Sequence, residues 1–303
     1  MNQDFLEKLT DAAGKGNVLV DEPMYKHITF RVGGKAAYFV EPDSVEGVCR
    51  VMELLKTEES IPYFVMGNGS NLLVTDEGYD GVIVKIGSRL SKAEFSGNML
   101  TVEAGAMLST VSKAACERGL SGMERISGIP GTVGGAVTMN AGAYGGEIKD
   151  IIVSAKVLDV ESGSIITIPV EEMKLSYRHS VVMEKKYIVL EASFKLTEGD
   201  REEIIDVMND CTAKRKSKQP LEYGSAGSTF KRPEGYFAGK LIQDAGLAGY
   251  TVGGAQVSEK HCGFVINRDN ATASDVLAVI RHVQKRVYEE FGVELETEVY
   301  ILT

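Results

Sequence analysis

Two glycine-dense stretches and one basic run are the parts of this sequence whose residue types and spacing could do chemistry. The first stretch is Gly67-Asn68-Gly69-Ser70-Asn71, directly after a strand-like run at 62–66. Successive backbone N–H groups in such a loop, with the Ser70 and Asn71 side chains, form a concavity suited to an anion such as a pyrophosphate. A plain turn accounts for the same residues. The loop is not a dinucleotide fingerprint, because Leu72 stands where the third glycine belongs and no helical pattern follows. There is no phosphate-binding P-loop and no serine in a nucleophile elbow, which removes the commonest nucleotide-hydrolysing and acyl-transfer readings.

The second stretch runs from Ser127-Gly128-Ile129-Pro130-Gly131-Thr132-Val133-Gly134-Gly135-Ala136 into Asn140-Ala141-Gly142-Ala143-Tyr144-Gly145. A structural turn needs one or two glycines, whereas this backbone stays bare over almost two dozen residues, as a cradle for a long flat ligand would. The chain holds 33 glycines in 303 residues, with nine between Gly119 and Gly146 and eight between Gly224 and Gly254; the usual share is about 7%. The basic run has Lys214, Arg215, Lys216, Lys218, Lys231 and Arg232 against one acid, Glu222. It reverses the sign of a chain whose formal charge is −10. Such a run suits a phosphorylated ligand, and equally a solvated helix C-terminus.

The elements that must position these groups are of ordinary globular composition, 44% hydrophobic and 25% charged. The length predicts about two domains. The acidic balance argues against nucleic acid as a partner. The acidic, amphipathic start from Met1 to Gly14 and the lack of any long apolar run predict a cytoplasmic protein. Cys49, Cys116, Cys211 and Cys262 are scattered, and the four histidines form no metal-ligand spacing, so reduced and mostly buried thiols are expected, with no metal.

Apolar spacing predicts a helix through Phe5, Leu6, Leu9, Ala12 and Ala13, then strands at 28–32 and 36–40. A helix capped by Asp43 with Glu46 carries Val45, Val48, Met52 and Leu55 on one face. Short strands at 81–86 and 99–104, a helix over 108–118 closed by Gly119, a hairpin of 151–160 with 164–170, and a strand at 187–196 follow. A helix from about 201 to 216 ends before Pro220 and marks the domain boundary. Beyond it come a helix at 237–245 stopped by Gly246, a long helix capped by Thr272 and Asp275 and ended by Gly292, and a last strand at 296–302.

Taken in order, the two glycine segments resemble the flavin-binding domain of the UDP-N-acetylenolpyruvoylglucosamine reductase family. The resemblance continues through Thr29-Phe30-Arg31-Val32-Gly33-Gly34, Ser176-Tyr177-Arg178-His179-Ser180, Gly224-Ser225-Ala226-Gly227-Ser228-Thr229-Phe230-Lys231-Arg232-Pro233, Gly254-Ala255-Gln256-Val257-Ser258 and Leu295-Glu296-Thr297-Glu298-Val299. It implies an α+β fold: an FAD-binding domain of the PCMH/MurB type over 1–198, with two subdomains divided near 80–100, and a C-terminal α+β substrate-binding domain over 199–303. It also implies a cytoplasmic enzyme of peptidoglycan precursor synthesis, expected to be a monomer. NADPH would be the reductant, and non-covalent FAD would carry hydride to the enolpyruvyl ether of UDP-N-acetylglucosamine, giving UDP-N-acetylmuramate. Consistent with that, neither glycine segment offers a His or Cys to tether a flavin.

Residue by residue, the resemblance puts the cofactor on Gly67, Asn68, Gly69, Ser70, Asn71, Ser127, Ile129, Gly131, Thr132, Gly134, Ala136, Asn140, Ala141 and Gly142. The catalytic arginine falls on Arg178, whose planar fork can hold a carboxylate and stabilise an enolate beside it. The proton donor falls on Ser228 and the carboxylate on Glu298. Side chains at 296 and 298 of a strand share a face, so spacing alone leaves Glu296 open, and the motif register selects Glu298. Substrate contacts are expected from Tyr144, Lys218, Lys231 and Arg232. Only the segment from Arg178 to Leu190 precedes the next strand, so the chain resembles the family's shorter subclass, without the insertion that carries a substrate-covering tyrosine. Two other classes remain open at this point: an oxygen-using FAD oxidase, and a non-catalytic nucleotide-sugar binding module.

Overall fold

The computed structural model describes residues 3–303; Met1 and Asn2, the beginning of the acidic start, lie outside the described residues. The chain is α+β and divides into two compact units. The first comprises the chain up to Val20, Tyr38–Asn68 and Gly81–Lys214; the second comprises Asp21–Ala37, Gly69–Asp80 and Arg215–Thr303. The division at 214/215 falls inside the helix Arg201–Lys218, which starts close to the expected boundary at 198/199.

In the first unit, helix Gln3–Ala13 buries Phe5, Leu9 and Ala13, and helix Val45–Thr57 buries Val48, Val51, Met52 and Leu55. The two helices pack together, and Phe5 meets Tyr38 edge to face at 5.1 Å between ring centroids. Strand Tyr63–Met66 pairs in parallel with Tyr79–Lys85 through Tyr63↔Val82 to Met66↔Lys85. An antiparallel five-stranded sheet runs in the order Ile165–Pro169, Ile152–Asp159, Tyr187–Lys195, Met99–Glu103, Ala93–Ser96. Its first two strands are the expected hairpin, with Gly163 at φ +74° in the turn. The short helix Val133–Thr138 packs on this sheet and carries the second glycine segment.

The second unit holds a three-stranded antiparallel sheet, Thr251–Val252, Ala255–Val257 and Val265–Asn267, with helix Ala273–Phe291 packed on it. That helix has the expected caps. Thr272 and Asp275 form a reciprocal capping box, and Gly292 ends it in the left-handed region at φ +67°. Asp76 adds a second N-terminal acceptor, taking the Ala273 and Ser274 N–H groups at 2.8 Å each.

Three sequence expectations are corrected. Residues 28–32 form no strand, although Ile28, Phe30 and Val32 are buried in the alternation a strand would show. Arg31 sits at φ +58°, which breaks the extended path, and the N–H of Thr29 donates to Gly69 O instead of a sheet neighbour. The cap of helix Val45–Thr57 is Ser44, whose side chain accepts from Gly47 N–H, and not Asp43. Finally, only Tyr300–Leu302 of the expected strand at 296–302 is regular; it pairs in parallel with Leu72–Val74. The residues before it pair elsewhere, through an isolated bridge between Thr297 and Phe230.

Candidate active site

The loop after Tyr63–Met66 is shaped first by packing. A Cβ on Gly67 would lie 2.2 Å from Thr132 Oγ1, so within the first unit Gly67 touches the second glycine segment and only glycine fits. Asn68 Nδ2 donates to Pro130 O at 2.7 Å, fixing the loop against the second segment. Thr132 caps helix Val133–Thr138 by accepting from Gly135 N–H, and Gly134 lies where a Cβ would meet Ala104 Cβ at 2.8 Å. Ser127 donates to Glu124 O, while Ala136 and Ala141 are buried. These side chains are committed to the protein. The backbone is different: among the described residues the N–H groups of Asn68, Gly69, Ser70, Asn71, Gly131 and Thr132 donate to no protein acceptor. Unpartnered N–H groups in successive loop positions fit the phosphates of a dinucleotide such as FAD.

Arg178 projects from a tight turn in the first unit. Ser176 and His179 exchange both backbone hydrogen bonds at 3.2 Å, and Arg178 occupies the third turn position at φ +54°, a region that side chains rarely adopt. Both ends of the turn are anchored. Ser180, fully buried, donates through Oγ to Thr138 O, and Asn140 donates through Nδ2 to Ser176 O at 3.0 Å. The Arg178 guanidinium lies 5.1 Å from the Tyr177 ring centroid and is half-buried. Glu147 lies nearby. A hydrogen bond from the Lys149 ammonium holds its carboxyl below the usual carboxylate range against partial burial, and Asn140 and the Arg178 charge act in the same direction.

The segments that carry Ser228 and Glu298 are paired in the second unit. Glu298 N–H donates to Thr229 O at 2.8 Å, and Lys231 N–H donates to Glu296 O at 2.9 Å, on either side of the Phe230–Thr297 bridge. Thr229, 1% exposed, is the pin: its N–H reaches Gly263 O and its Oγ1 accepts from Val265 N–H at 3.0 Å. Ser228 follows Gly227, at φ +75°, and its hydroxyl has no partner among the described residues. The two glutamates differ in exposure. Glu296 points out, its side chain 74% exposed and paired with Lys231 at 2.9 Å, whereas Glu298 is half-buried. Asn71 Nδ2 donates to Glu298 O at 3.0 Å, so the flavin-type loop and the Glu298 segment are stitched together within this unit.

The remaining sequence candidates are spread over both units. Tyr144 stands at φ +53° with its carbonyl held by Arg125, and Gly142 is tight, because a Cβ there would meet Glu147 Cγ at 2.6 Å. Lys218 is exposed at the end of helix Arg201–Lys218, and Arg232 stacks over Phe237 at 4.6 Å. Ile129 is half-buried in its loop. His261, not among the candidates named above, packs edge-on against Phe264, and its Nδ1 accepts from Gly263 N–H at 3.1 Å. Burial, with the nearby charge of Lys218, pushes it below the usual imidazole value, so it is neutral with its proton on Nε2. The residues that sequence reasoning did not find are the holders: Thr229, Glu147 and Thr29, whose Oγ1 donates to Ser225 O at 2.6 Å. A threonine inside a Gly-Ser run and a glutamate after Gly146 carry no distinguishing signal.

Together the fold and its bare loops define a flavin-binding oxidoreductase class. The FAD binding domain family model matches residues 36–169, and the model of the UDP-N-acetylenolpyruvoylglucosamine reductase C-terminal domain matches 219–302. Curated relatives of that name are 52% identical in Agathobacter rectalis and 54% identical in Clostridium perfringens, each over 100% of this chain and 99% of the relative. The crystal structure of the Thermus caldophilus reductase is 36% identical and superposes with a TM-score of 0.79 over 94% of this chain and 98% of that one. This chain belongs to the UDP-N-acetylenolpyruvoylglucosamine reductase family.

Proposed function

We infer that the chain is an FAD-dependent UDP-N-acetylmuramate dehydrogenase. It reduces the enolpyruvyl ether of UDP-N-acetylglucosamine to UDP-N-acetylmuramate at the expense of NADPH, in peptidoglycan precursor synthesis. The observation that carries the reading is the uncommitted Ser228 hydroxyl, pinned by Thr229 next to the Glu298 segment. A serine is a feeble acid, useful only toward a strongly basic partner such as an enolate carbon.

The segments 67–71 and 127–142 would hold FAD through backbone N–H groups. When bound, it supplies two-electron chemistry, accepting hydride from NADPH and passing it to the vinyl carbon of the substrate. Arg178 grips the substrate carboxylate and spreads the negative charge that develops on the neighbouring carbon. Ser228 gives that carbon its proton. Glu298 hydrogen-bonds the same developing enolate and works there only if it donates a hydrogen bond or is neutralised by a cation such as Arg178. Tyr144, Lys218, Lys231 and Arg232 bind the UDP-sugar, Lys231 by exchanging its Glu296 partner for phosphate. The reading takes 1–198 as the FAD-binding domain, with subdomains divided near 80–100, and 199–303 as the substrate domain, in a cytoplasmic monomer without a nucleic-acid partner. Among the described residues no helix is long and apolar enough to cross a membrane.

The visible absorbance spectrum tests the function. Purified protein should be yellow, release its flavin on denaturation, bleach anaerobically with NADPH and regain colour on adding the enolpyruvyl UDP-sugar. Protein that stays colourless after reconstitution with FAD would mark a binding module. Colour regained with air and a hydroxy-substrate, but not with the UDP-sugar, would mark an oxidase.

A further inference from the structure

Each glycine segment contains an asparagine that a loop for phosphates would be expected to aim at its ligand. Both instead commit side-chain amide hydrogens to the protein. Asn140, 1% exposed, sends both amide hydrogens into the protein, to Glu147 Oε2 at 2.9 Å and Ser176 O at 3.0 Å, and its Oδ1 accepts from Lys149 N–H at 2.9 Å. The Lys149 donor fixes which end of the amide is oxygen. Asn71 donates to Glu298 O at 3.0 Å, while its own carbonyl takes Tyr300 N–H at 3.0 Å. In both units, then, an asparagine of a flavin-type segment is spent on a backbone carbonyl of the segment that presents a catalytic side chain. One carbonyl opens the Arg178 turn; the other is that of Glu298 itself.

We propose that Asn140 and Asn71 are positioning residues: Asn140 fixes the direction of Arg178, Asn71 that of Glu298, and each ties it to the segment whose backbone holds the flavin. The inference rests on the roles given above to Arg178 and Glu298. The cost of the Arg178 backbone gives the device a reason. A non-glycine residue at φ +54° is held off its preferred conformation. Such a turn relaxes unless its ends are anchored, and the Asn140 amide is one anchor. Asn140 itself stands at φ +45°, a conformation asparagine adopts more readily than most residues. Glu147 keeps the amide oriented, and its depressed pKa keeps it an acceptor throughout the neutral range.

The test is a pair of double-mutant cycles read in the holoenzyme by stopped-flow flavin absorbance, each half-reaction alone. Asn140→Ala should bind FAD with an affinity within about threefold of native and be reduced by NADPH at a near-native rate. Its reoxidation by the UDP-sugar should slow by roughly 10- to 100-fold, the reach of one lost coupling. In an Arg178→Ala background the same change should slow reoxidation by less than about twofold, since it acts only through that side chain. Asn71→Ala should behave likewise with Glu298→Ala. If Asn140→Ala does not fold, Glu147→Ala, which removes the second anchor of the amide, should show the same pattern with a smaller loss. A large loss of FAD affinity with normal reoxidation of the bound flavin would overturn the proposal and make the amide a cofactor contact. Losses that multiply in the Arg178→Ala background would make it a general structural residue. If Arg178→Ala itself leaves reoxidation unchanged, the fault lies in the role assigned to Arg178 and not in the coupling.

Discussion

Arg178 and the Ser228–Glu298 pair, proposed above to serve one reaction, are held by opposite means. The arginine is carried on a two-residue turn in a left-handed conformation, closed by the two hydrogen bonds between Ser176 and His179 and kept in place by side chains from outside the turn. The serine and glutamate are carried on backbone outside the left-handed region, set by the isolated bridge between Phe230 and Thr297 and by a single buried threonine. The bridge is flanked by the Glu298–Thr229 and Lys231–Glu296 hydrogen bonds, and Thr229 is tied separately to Gly263 and Val265, so one lost bond is shared among several others. A strained turn concentrates its hold in a few contacts, and losing one redirects the side chain. The arginine is therefore vulnerable through its supports, and the serine and glutamate through their own atoms.

The largest effect expected from this contrast is at the acid pair itself. Glu298→Ala should lower the rate of flavin reoxidation by about 10²-fold, the usual weight of one oriented hydrogen bond to a developing charge. Glu298→Gln should retain more activity, since its amide still donates. Glu296→Ala should change almost nothing, because its ion pair with Lys231 is exposed and worth well under about 1 kcal/mol. Equal loss from both substitutions at 298 would indicate proton transfer there, and a loss at 296 equal to that at 298 would undo the distinction between the two glutamates. A smaller effect compares the backbones directly, in thermal unfolding. At 178, Arg178→Gly should be more stable than Arg178→Ala by about 1 kcal/mol, because alanine pays for the left-handed conformation and glycine does not. At 228 the order should reverse, Ser228→Ala exceeding Ser228→Gly by up to about 1 kcal/mol. The same order at both positions would mean that the two backbones do not differ as described.

How far this was legible from sequence follows from the same contrast. The candidate residues for chemistry stood out because their types are restricted: an arginine in a Ser-Tyr-Arg-His-Ser run, a serine after Ser-Ala-Gly, a carboxylate in a Leu-Glu-Thr-Glu-Val segment. The helix capped by Thr272 and Asp275 was readable because both capping partners are local. What holds Arg178 and Glu298 was not, because Asn140 reaches 36 residues ahead to Ser176 and Asn71 reaches 227 residues to Glu298. The alternation Ile28, Phe30, Val32 correctly foretold burial and wrongly foretold a strand, since pattern reports which side chains face inward and not where N–H groups go. The glycine excess was read as bare backbone for a ligand. In part it is packing: Gly67 and Gly134 make room for Thr132 and Ala104, and Gly69, at φ +62°, lies where a Cβ would be 2.4 Å from His27 O. The interleaving of Asp21–Ala37 and Gly69–Asp80 into the second unit has no local signature at all.

The most direct measurement of the central claim is single-turnover kinetics of Ser228→Ala. If Ser228 only protonates the enolate carbon, the variant should bind FAD and be reduced by NADPH at nearly the native rate, because that step places no proton on substrate. Reoxidation by the enolpyruvyl UDP-sugar should slow by about 10² to 10⁴, the usual worth of a positioned acid. A reduction step slowed as much as reoxidation would make Ser228 a structural or binding residue, and two unchanged steps would assign the proton to water or another side chain.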